Sequence, residues 1–467
     1  METIQLEKIE FKYGSKKIFE NADFTANPGE LILVCGKTGS GKSTLLKIIK
    51  NRYKECAYVP QNPDSAIVCH KVYEELAFTL VNRNEKEDYI NRRIAEVAGF
   101  FGISHWLDMD VDRLSGGEKQ ILNIASAMIA NPGTILLDEP AAMLDPVMSD
   151  RLGDIITRIN RNLGTTIIIT EHRPETYFAL ASKVALIDNG QIHMDIPSKM
   201  ALYMAQNDTY EYLLPVYSRI FKGKNQVPVS YEQAGNLLRR CIVKNVTNSQ
   251  NRHINADTAL EFKNVTFGYE KKKSILDSLS FNIERGSFTA LLGENGAGKS
   301  TIANLCVGRL KPYSGKISVN GKVSMLCQDV TLHFTGDEKP DPYDLSGGMR
   351  QLYALSKVLE ANPDILILDE PTKGLDGWEK EQLAERIKKL TDNNVSVLMI
   401  THDIDFAAEY AHKMMLLFGK KIVFSGNTQD FCMENIIYTS TVNRLFKGIS
   451  DNVYKLSQAV KIIGENK

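Results

Sequence analysis

Two glycine-rich loops, each ending in a lysine and a hydroxyl residue, carry the strongest chemical signal in this chain of 467 residues. One runs Gly36, Lys37, Thr38, Gly39, Ser40, Gly41, Lys42 and Ser43, with Thr44 next. The other runs Gly293, Glu294, Asn295, Gly296, Ala297, Gly298, Lys299 and Ser300, with Thr301 next. Both fit G-x-x-x-x-G-K-[ST], and each follows a β-rich run (LILVC, FTALL) and opens a helix-like one (TLLKII, TIANLC). Glycines let the backbone curl so that successive N–H groups face phosphate oxygens, and the helix N-terminus adds positive potential. The lysine neutralises charge on the β- and γ-phosphates, and the serine hydroxyl ligates Mg²⁺. A single copy could be a glycine-rich turn before an ordinary helix. Two copies in register leave that reading negligible.

Acidic pairs close two apolar runs: Asp138-Glu139 after TILL and Asp369-Glu370 after ILIL. A buried strand ending in two carboxylates suits a Mg²⁺ ligand (Asp138, Asp369) followed by a base that orients the attacking water (Glu139, Glu370). His172 and His402 also follow apolar runs. Alone, a strand-end histidine reads as structural; at matched positions, a γ-phosphate sensor is the better reading. Tyr13 and Tyr269 precede the loops and fit either core packing or stacking on adenine.

These residues recur because the chain is a duplication. FKYG matches FGYE, LSGGEKQ matches LSGGMRQ, ILLDEP matches LILDEP and ITEH matches MITH, in the same order as the loops. Lys42 and Lys299 lie 257 residues apart and Gln61 and Gln328 lie 267 apart, but Ser115 and Ser346 only 231. The second half has therefore lost 36 residues between its glutamine and its Ser-Gly-Gly. Short β-rich runs such as 30–35 and 134–137 alternate with helical stretches, which predicts an α/β fold. The expected organisation is a first domain over 1–195, an extension and linker over 196–257, a second domain over 258–426 and a helical tail over 427–467.

Composition narrows the partners. A formal charge of −1 gives no overall pull toward nucleic acid or anionic membrane. Seven cysteines, none in a C-x-x-C pair, read as buried free thiols in a reducing compartment. No signal core and no run of 18 apolar residues occurs, so a cytosolic chain that meets a membrane only through a partner is expected.

Leu114-Ser-Gly-Gly-Glu and Leu345-Ser-Gly-Gly-Met complete a set that resembles ATP-binding-cassette (ABC) proteins over nearly the whole chain. The resemblance implies two P-loop ABC ATPase domains in tandem, with ATP and Mg²⁺ as cofactors. It also implies head-to-tail pairing, within one chain, so that each ATP lies between one half's loop and the other half's Ser-Gly-Gly. The first site would then use Lys42, Ser43, Gln61, Asp138, Glu139 and His172 with Ser346, Gly347 and Gly348. The second would use Lys299, Ser300, Gln328, Asp369, Glu370 and His402 with Ser115, Gly116 and Gly117. Gln61 and Gln328 join the serine and aspartate as metal-site residues. Gln61-Asn-Pro-Asp, Glu139-Pro-Ala-Ala-Met-Leu-Asp145-Pro, Glu171-His-Arg and Glu370-Pro-Thr-Lys-Gly-Leu-Asp further resemble the ATPases of energy-coupling-factor importers. That resemblance implies a place on the cytoplasmic face of the cell membrane. The partners would be a transmembrane coupling subunit and a substrate-binding membrane subunit, with uptake of a vitamin or metal ion.

Two departures shape the expectations. Only 18 residues separate Lys42 from Gln61, which predicts a trimmed antiparallel sheet in the first half. Only 17 separate Gln328 from Ser346, where the first half has 53, which predicts a shortened helical subdomain in the second. The first half is thus expected to carry the coupling through residues 62–82, with Val72→Asp as the disrupting change. Two rivals are a ribosome-binding tandem-ABC translation factor and the ATPase of a sugar importer. The first usually has a long charged helical arm, absent from LLRRCIVKNVTNSQNRHINADTALEF; the second lacks the Gln-Asn-Pro and Ala-Met-Leu-Asp segments.

Overall fold

A computed structural model describes residues 2–465 except 143, 145, 172, 173, 241–256, 271, 272, 295, 335–340, 343, 344, 346 and 451. The chain forms two compact units, one ending at Pro215 and the other beginning at Val216.

Each unit is built on a six-stranded sheet. The first has the order Ala57–Val59, Thr134–Asp138, Thr166–Thr170, Leu31–Gly36, Lys183–Asp188, Gln191–Asp195; the second has Val323–Leu326, Ile365–Asp369, Ser396–Ile400, Phe288–Gly293, Lys413–Phe418, Lys421–Asn427. The first five strands of each run parallel and the sixth antiparallel. Strands covered on both faces must be apolar throughout, and the runs LILVC, TIIIT, FTALL and SVLMI are buried at every residue. This is the α/β tandem expected from the sequence.

A smaller antiparallel sheet accompanies each main sheet. In the first unit it has two strands, Ile4–Tyr13 and Lys16–Ala26. In the second it has three, Leu276–Glu284, Thr258–Phe267 and Ser314–Val319. The missing strand accounts for the short Lys42–Gln61 interval. Both small sheets bulge at matched places: Lys8 and Asn264 have φ of 48° and 49°, Asn21 and Ser278 have 53° and 50°. Left-handed bulge residues bend a strand and increase its twist.

The helical subdomains differ more. Between Gln61 and the helix Gly116–Met128, the first unit places helices Val72–Asn82 and Glu87–Phe101. Ile90, Ile94, Val97, Ala98 and Phe101 recur at helical spacing and are buried, and Gly102 at φ 69° terminates the helix as a left-handed cap. In the second unit, the described residues between Gln328 and the helix Gly347–Leu359 hold one short turn, Val330–His333.

The segment 196–257, expected as a single extension and linker, is divided between the units. Helix Pro197–Ala205 belongs with the first, where the Tyr210 hydroxyl bonds Asp188 Oδ2 at 2.6 Å. Helices Val216–Arg219 and Tyr231–Arg240 instead share a core with the tail helices Thr441–Phe446 and Leu456–Glu465, through Tyr217, Phe221, Leu238, Phe446 and Ile462. Sequence proximity to the first domain was a poor guide, because burial of these apolar faces needed the tail. Among the described residues six cysteines are free, five of them buried, and no helix is long and apolar enough to cross a membrane.

Candidate nucleotide sites

Each loop sits where a central strand turns into a helix, Leu31–Gly36 into Lys42–Arg52 and Phe288–Gly293 into Lys299–Cys306. The turn demands glycine. Gly41 and Gly298 have φ of 108° and 104°, and a Cβ on Gly41 would stand 2.6 Å from Ile18 Cγ2. The lysines at the helix starts are almost fully buried. Lys42 Nζ donates to the carbonyls of Gly36 (3.0 Å) and Lys37 (3.3 Å); Lys299 Nζ donates to those of Gly293 and Glu294 (2.8 Å each). Each loop is thus wrapped around its own ammonium group.

The acidic pairs end the neighbouring strand. Ser43 Oγ donates to Asp138 Oδ1 at 2.9 Å, which brings the loop serine and the strand-end aspartate together. In the second unit Ser300 stands near enough to Asp369 to stabilise its charged carboxylate. Burial pushes the Asp369 carboxyl above its ordinary range, opposed by Ser300, Lys299 and Lys373. Its Oδ1 is buried without a hydrogen-bond partner among the described residues. A buried carboxylate oxygen beside a serine hydroxyl fits a Mg²⁺ site, which takes one or two protein oxygens plus phosphate and water.

Glu139 and Glu370 share a left-handed backbone, with φ of 45° and 52°. Such a conformation costs an ordinary residue about 1 kcal/mol or more and is concentrated at functional sites. It is held by the next strand: Glu139 N donates to Thr170 O (3.1 Å) and Oγ1 (3.0 Å), and Glu370 N donates to Ile400 O (2.9 Å). Gln61 Nε2 donates to Glu139 Oε2 at 2.6 Å, whereas Gln328 is exposed and bonds neither carboxylate among the described residues. His402 Nε2 lies 3.0 Å from Lys299 Nζ and 3.3 Å from Glu370 Oε1. With its proton on Nδ1 the imidazole accepts from the ammonium at Nε2; with a proton on Nε2 it donates to the glutamate.

Tyr13 and Tyr269 are both exposed, and Tyr269 Oη lies 3.3 Å from Thr301 Oγ1. The Ser-Gly-Gly segments open the helices Gly116–Met128 and Gly347–Leu359. Ser115 caps the first, exchanging hydrogen bonds with Glu118 in a capping box. Asn295, His172 and Ser346 lie outside the described residues.

Four residues at these sites were not expected from sequence. Tyr58 and Thr170 donate to Asp138, Glu171 Oε1 accepts from Ala141 N at 2.9 Å, and Lys373 is mostly buried beside Asp369 and Glu370. Burial pushes the Lys373 amine below its ordinary range, against the pull of both carboxylates. Lys373 and Glu171 both stood in quoted motifs, Glu370-Pro-Thr-Lys and Glu171-His-Arg, without a role; Tyr58 and Thr170 had no signal beyond lying near strand ends.

The coupling segment needs one correction. Val72 is fully buried, so Val72→Asp would disrupt the subdomain rather than a surface. The exposed apolar residues of this region are Val68, Tyr73, Phe78 and Val81.

Comparisons with known proteins agree with this geometry. The ABC transporter family profile matches residues 19–142 and 276–333. A protein of Bacillus anthracis, provisionally named an ABC transporter ATP-binding protein, is 31% identical over 95% of this chain and 95% of its own. One of Clostridium tetani with the same provisional name is 31% identical over 83% of this chain and 99% of its own. Among solved structures, the archaeal ribosome recycling factor aABCE1, in complex with the stalk protein aP1, matches with a TM-score of 0.62 at 18% identity over 91% of each chain. That last likeness concerns the fold alone. Duplicate loops on matching sheets and full-length likeness to the bacterial proteins lead to one conclusion: the chain belongs to the ABC transporter ATP-binding family and is a tandem ABC ATPase.

Proposed function

We propose that the chain is the ATP-hydrolysing subunit of an energy-coupling-factor type importer, powering uptake of a vitamin or metal ion through membrane partner subunits. The reading joins three supports. The motifs Gln61-Asn-Pro-Asp, Glu171-His-Arg and Glu370-Pro-Thr-Lys resemble those ATPases. The relatives of similar length are named as ABC transporter components. The observation that carries the partner assignment is the first unit's helical subdomain, where Val68 and Val81 are 65% and 55% exposed and Tyr73 and Phe78 about 40%. Apolar side chains grouped along one helix and its leading loop suit a docked partner helix.

The family resemblance implies that the two halves would pair head to tail within the chain. Lys42 and Lys299 meet the β- and γ-phosphates, and the loop N–H groups cradle them. Ser43 with Asp138, and Ser300 with Asp369, would hold Mg²⁺, which when bound would neutralise developing phosphate charge. Glu139 and Glu370 take a proton from the attacking water, and His172 and His402 sense the γ-phosphate. On that pairing, Ser115, Gly116 and Gly117 would complete the second site, and Ser346, Gly347 and Gly348 the first. Closure on ATP then reaches the partner through a bonded path. Glu139 bonds Gln61; Asn123 Nδ2 donates to Pro63 O at 2.9 Å; Lys119 bonds Asp64 at 2.7 Å. The Ser-Gly-Gly helix is thereby tied to the segment that leads to the apolar surface.

Expressed with its membrane partners, the chain should sediment with membranes and co-purify with a polytopic subunit. Phe78→Asp with Val81→Asp should release it while MgATP binding persists. Loss of both together, or sedimentation unchanged by the substitutions, would refute the docking surface. Co-purification with ribosomes instead would favour the rival reading.

A further inference from the structure

The two strand-end aspartates live in different surroundings, and the difference is built from matched positions. Asp138 accepts three hydroxyl donors: Ser43 (2.9 Å) and Thr170 (2.8 Å) on Oδ1, and Tyr58 (3.0 Å) on Oδ2. In the first sheet Thr170 is the direct parallel partner of Asp138, and Tyr58 pairs with Leu136, two residues before it. In the second sheet the same registers hold Ile400, opposite Asp369, and Met325, opposite Ile367. Both are buried and apolar. Residues two apart on a strand share a face, so each of these side chains lies on the face that carries its aspartate. Of the three hydroxyl positions only the serine, Ser300, is kept near Asp369, whose Oδ1 has no hydrogen-bond partner among the described residues.

Lys299 and Lys373 offset part of the desolvation of Asp369 through space, and the first unit has Ala142 where the second has Lys373. Neither ammonium bonds the Asp369 Oδ1, however, and a buried carboxylate oxygen without a donor carries a desolvation cost that a bonded one does not. A divalent cation, or a water it orients, relieves that cost where it exists. It gains less where hydroxyls have relieved it already. On the reading that Asp138 and Asp369 are the metal ligands, we propose that Tyr58 and Thr170 are positioning residues. They hold the Asp138 carboxylate in place, so that ATP binding at the first site depends less on a divalent cation than at the second. Met325 and Ile400 make the second site the more metal-dependent one. Neither Tyr58 nor Thr170 needs to touch nucleotide for this.

The test uses full-length chain with one site silenced, Lys299→Ala to isolate the first and Lys42→Ala to isolate the second. A fluorescent ATP derivative is titrated in excess Mg²⁺ and in EDTA, and the ratio of the two dissociation constants is read. The second site should show the larger ratio. In the first-site background, Tyr58→Phe should raise the ratio about tenfold, the scale of one hydrogen bond to a charged group. Thr170→Ser, which keeps the hydroxyl, should leave it unchanged. In the second-site background, Met325→Tyr with Ile400→Thr should lower the ratio, which provides a test even if Tyr58→Phe folds poorly. Equal ratios at the two sites, or a Tyr58→Phe that weakens binding equally with and without Mg²⁺, would overturn the proposal while leaving the nucleotide sites standing. Absence of ATP binding in both backgrounds would overturn the site assignment itself, and this proposal with it.

Discussion

The two halves share one sheet and one loop geometry but surround them differently. In the first unit, Glu139 is bonded by Gln61, and the turn after Gln61 is stitched to the Ser-Gly-Gly helix by Asn123 and Lys119. In the second, Gln328 is exposed and the chain returns to its Ser-Gly-Gly helix after 17 residues. The second unit compensates elsewhere, with a third strand in its small sheet and a helical layer drawn from both its ends. Duplicated chemistry can thus persist while the routes by which it is coupled outward diverge. Phosphate geometry tolerates little change in the loop, whereas a subdomain beside it can be lost without unfolding the sheet.

The largest expected effect tests whether the chemistry really is duplicated. With the opposite site silenced through its loop lysine, Glu139→Gln and Glu370→Gln should each reduce ATP turnover at the remaining site by about 10²- to 10⁴-fold, as loss of a positioned base does. Phosphate-release assays on each variant decide it. A variant that keeps more than about half its turnover would mark that half as non-hydrolytic and break the symmetry.

A smaller effect should be confined to the first unit. Glu75 is buried, and its Oε2 accepts the backbone N–H groups of Val68 (2.9 Å) and Cys69 (2.8 Å), anchoring the loop that leads to the exposed apolar face. Glu75→Ala leaves both donors without that acceptor and should cost about 1–3 kcal/mol. Denaturant unfolding should show the loss, and protease cleavage near residues 66–70 should speed up. Unaltered cleavage there would mean the carboxylate does not anchor the loop.

The smallest effect is a pH dependence confined to the second unit. Cys327 N donates to His333 Nε2 at 3.1 Å, which requires that nitrogen to be unprotonated. Burial first, and the Arg309 charge second, push the His333 pKa below its ordinary value of 6.5, with Asp329 opposing. The unfolded chain therefore takes up the proton first as pH falls. The contribution is complete above about pH 6.5 and is lost as pH drops through the depressed value. The matched turn of the first unit, Pro63–Ser65, is followed by Ala66 and contains no titrating imidazole. Unfolding of the second unit followed from about pH 7 to 5 should steepen with acid, and His333→Gln should flatten the slope. Identical slopes with and without the histidine would dismiss this role.

Much of the fold was legible in the sequence because its signals are local. LILVC and FTALL are apolar at every position, as strands covered on both faces must be, and the glycines after them permit one kind of turn. The shortened intervals around Gln61 and Gln328 foretold the two-stranded small sheet of the first unit and, among the described residues, the single short turn before the second unit's Ser-Gly-Gly helix. Val72 shows the limit: a helix start in a coupling segment gave no hint that its side chain points inward. Tyr58 and Thr170 were missed for a related reason. A hydroxyl on a strand is unremarkable until the register sets it against a carboxylate on a neighbouring strand.

By itself, the sequence determined the duplication, the two phosphate loops, the acidic strand ends and the α/β class. All of these follow from residue type at short, fixed spacing. Tertiary structure alone decided which hydroxyls reach Asp138, which oxygen of Asp369 stays without a donor, and that Val216–Arg219 packs with the tail rather than with the strands before it. Those outcomes depend on strand register and on which apolar faces find each other across hundreds of residues. Both are set by burial summed over the whole unit, so no short stretch of sequence encodes them.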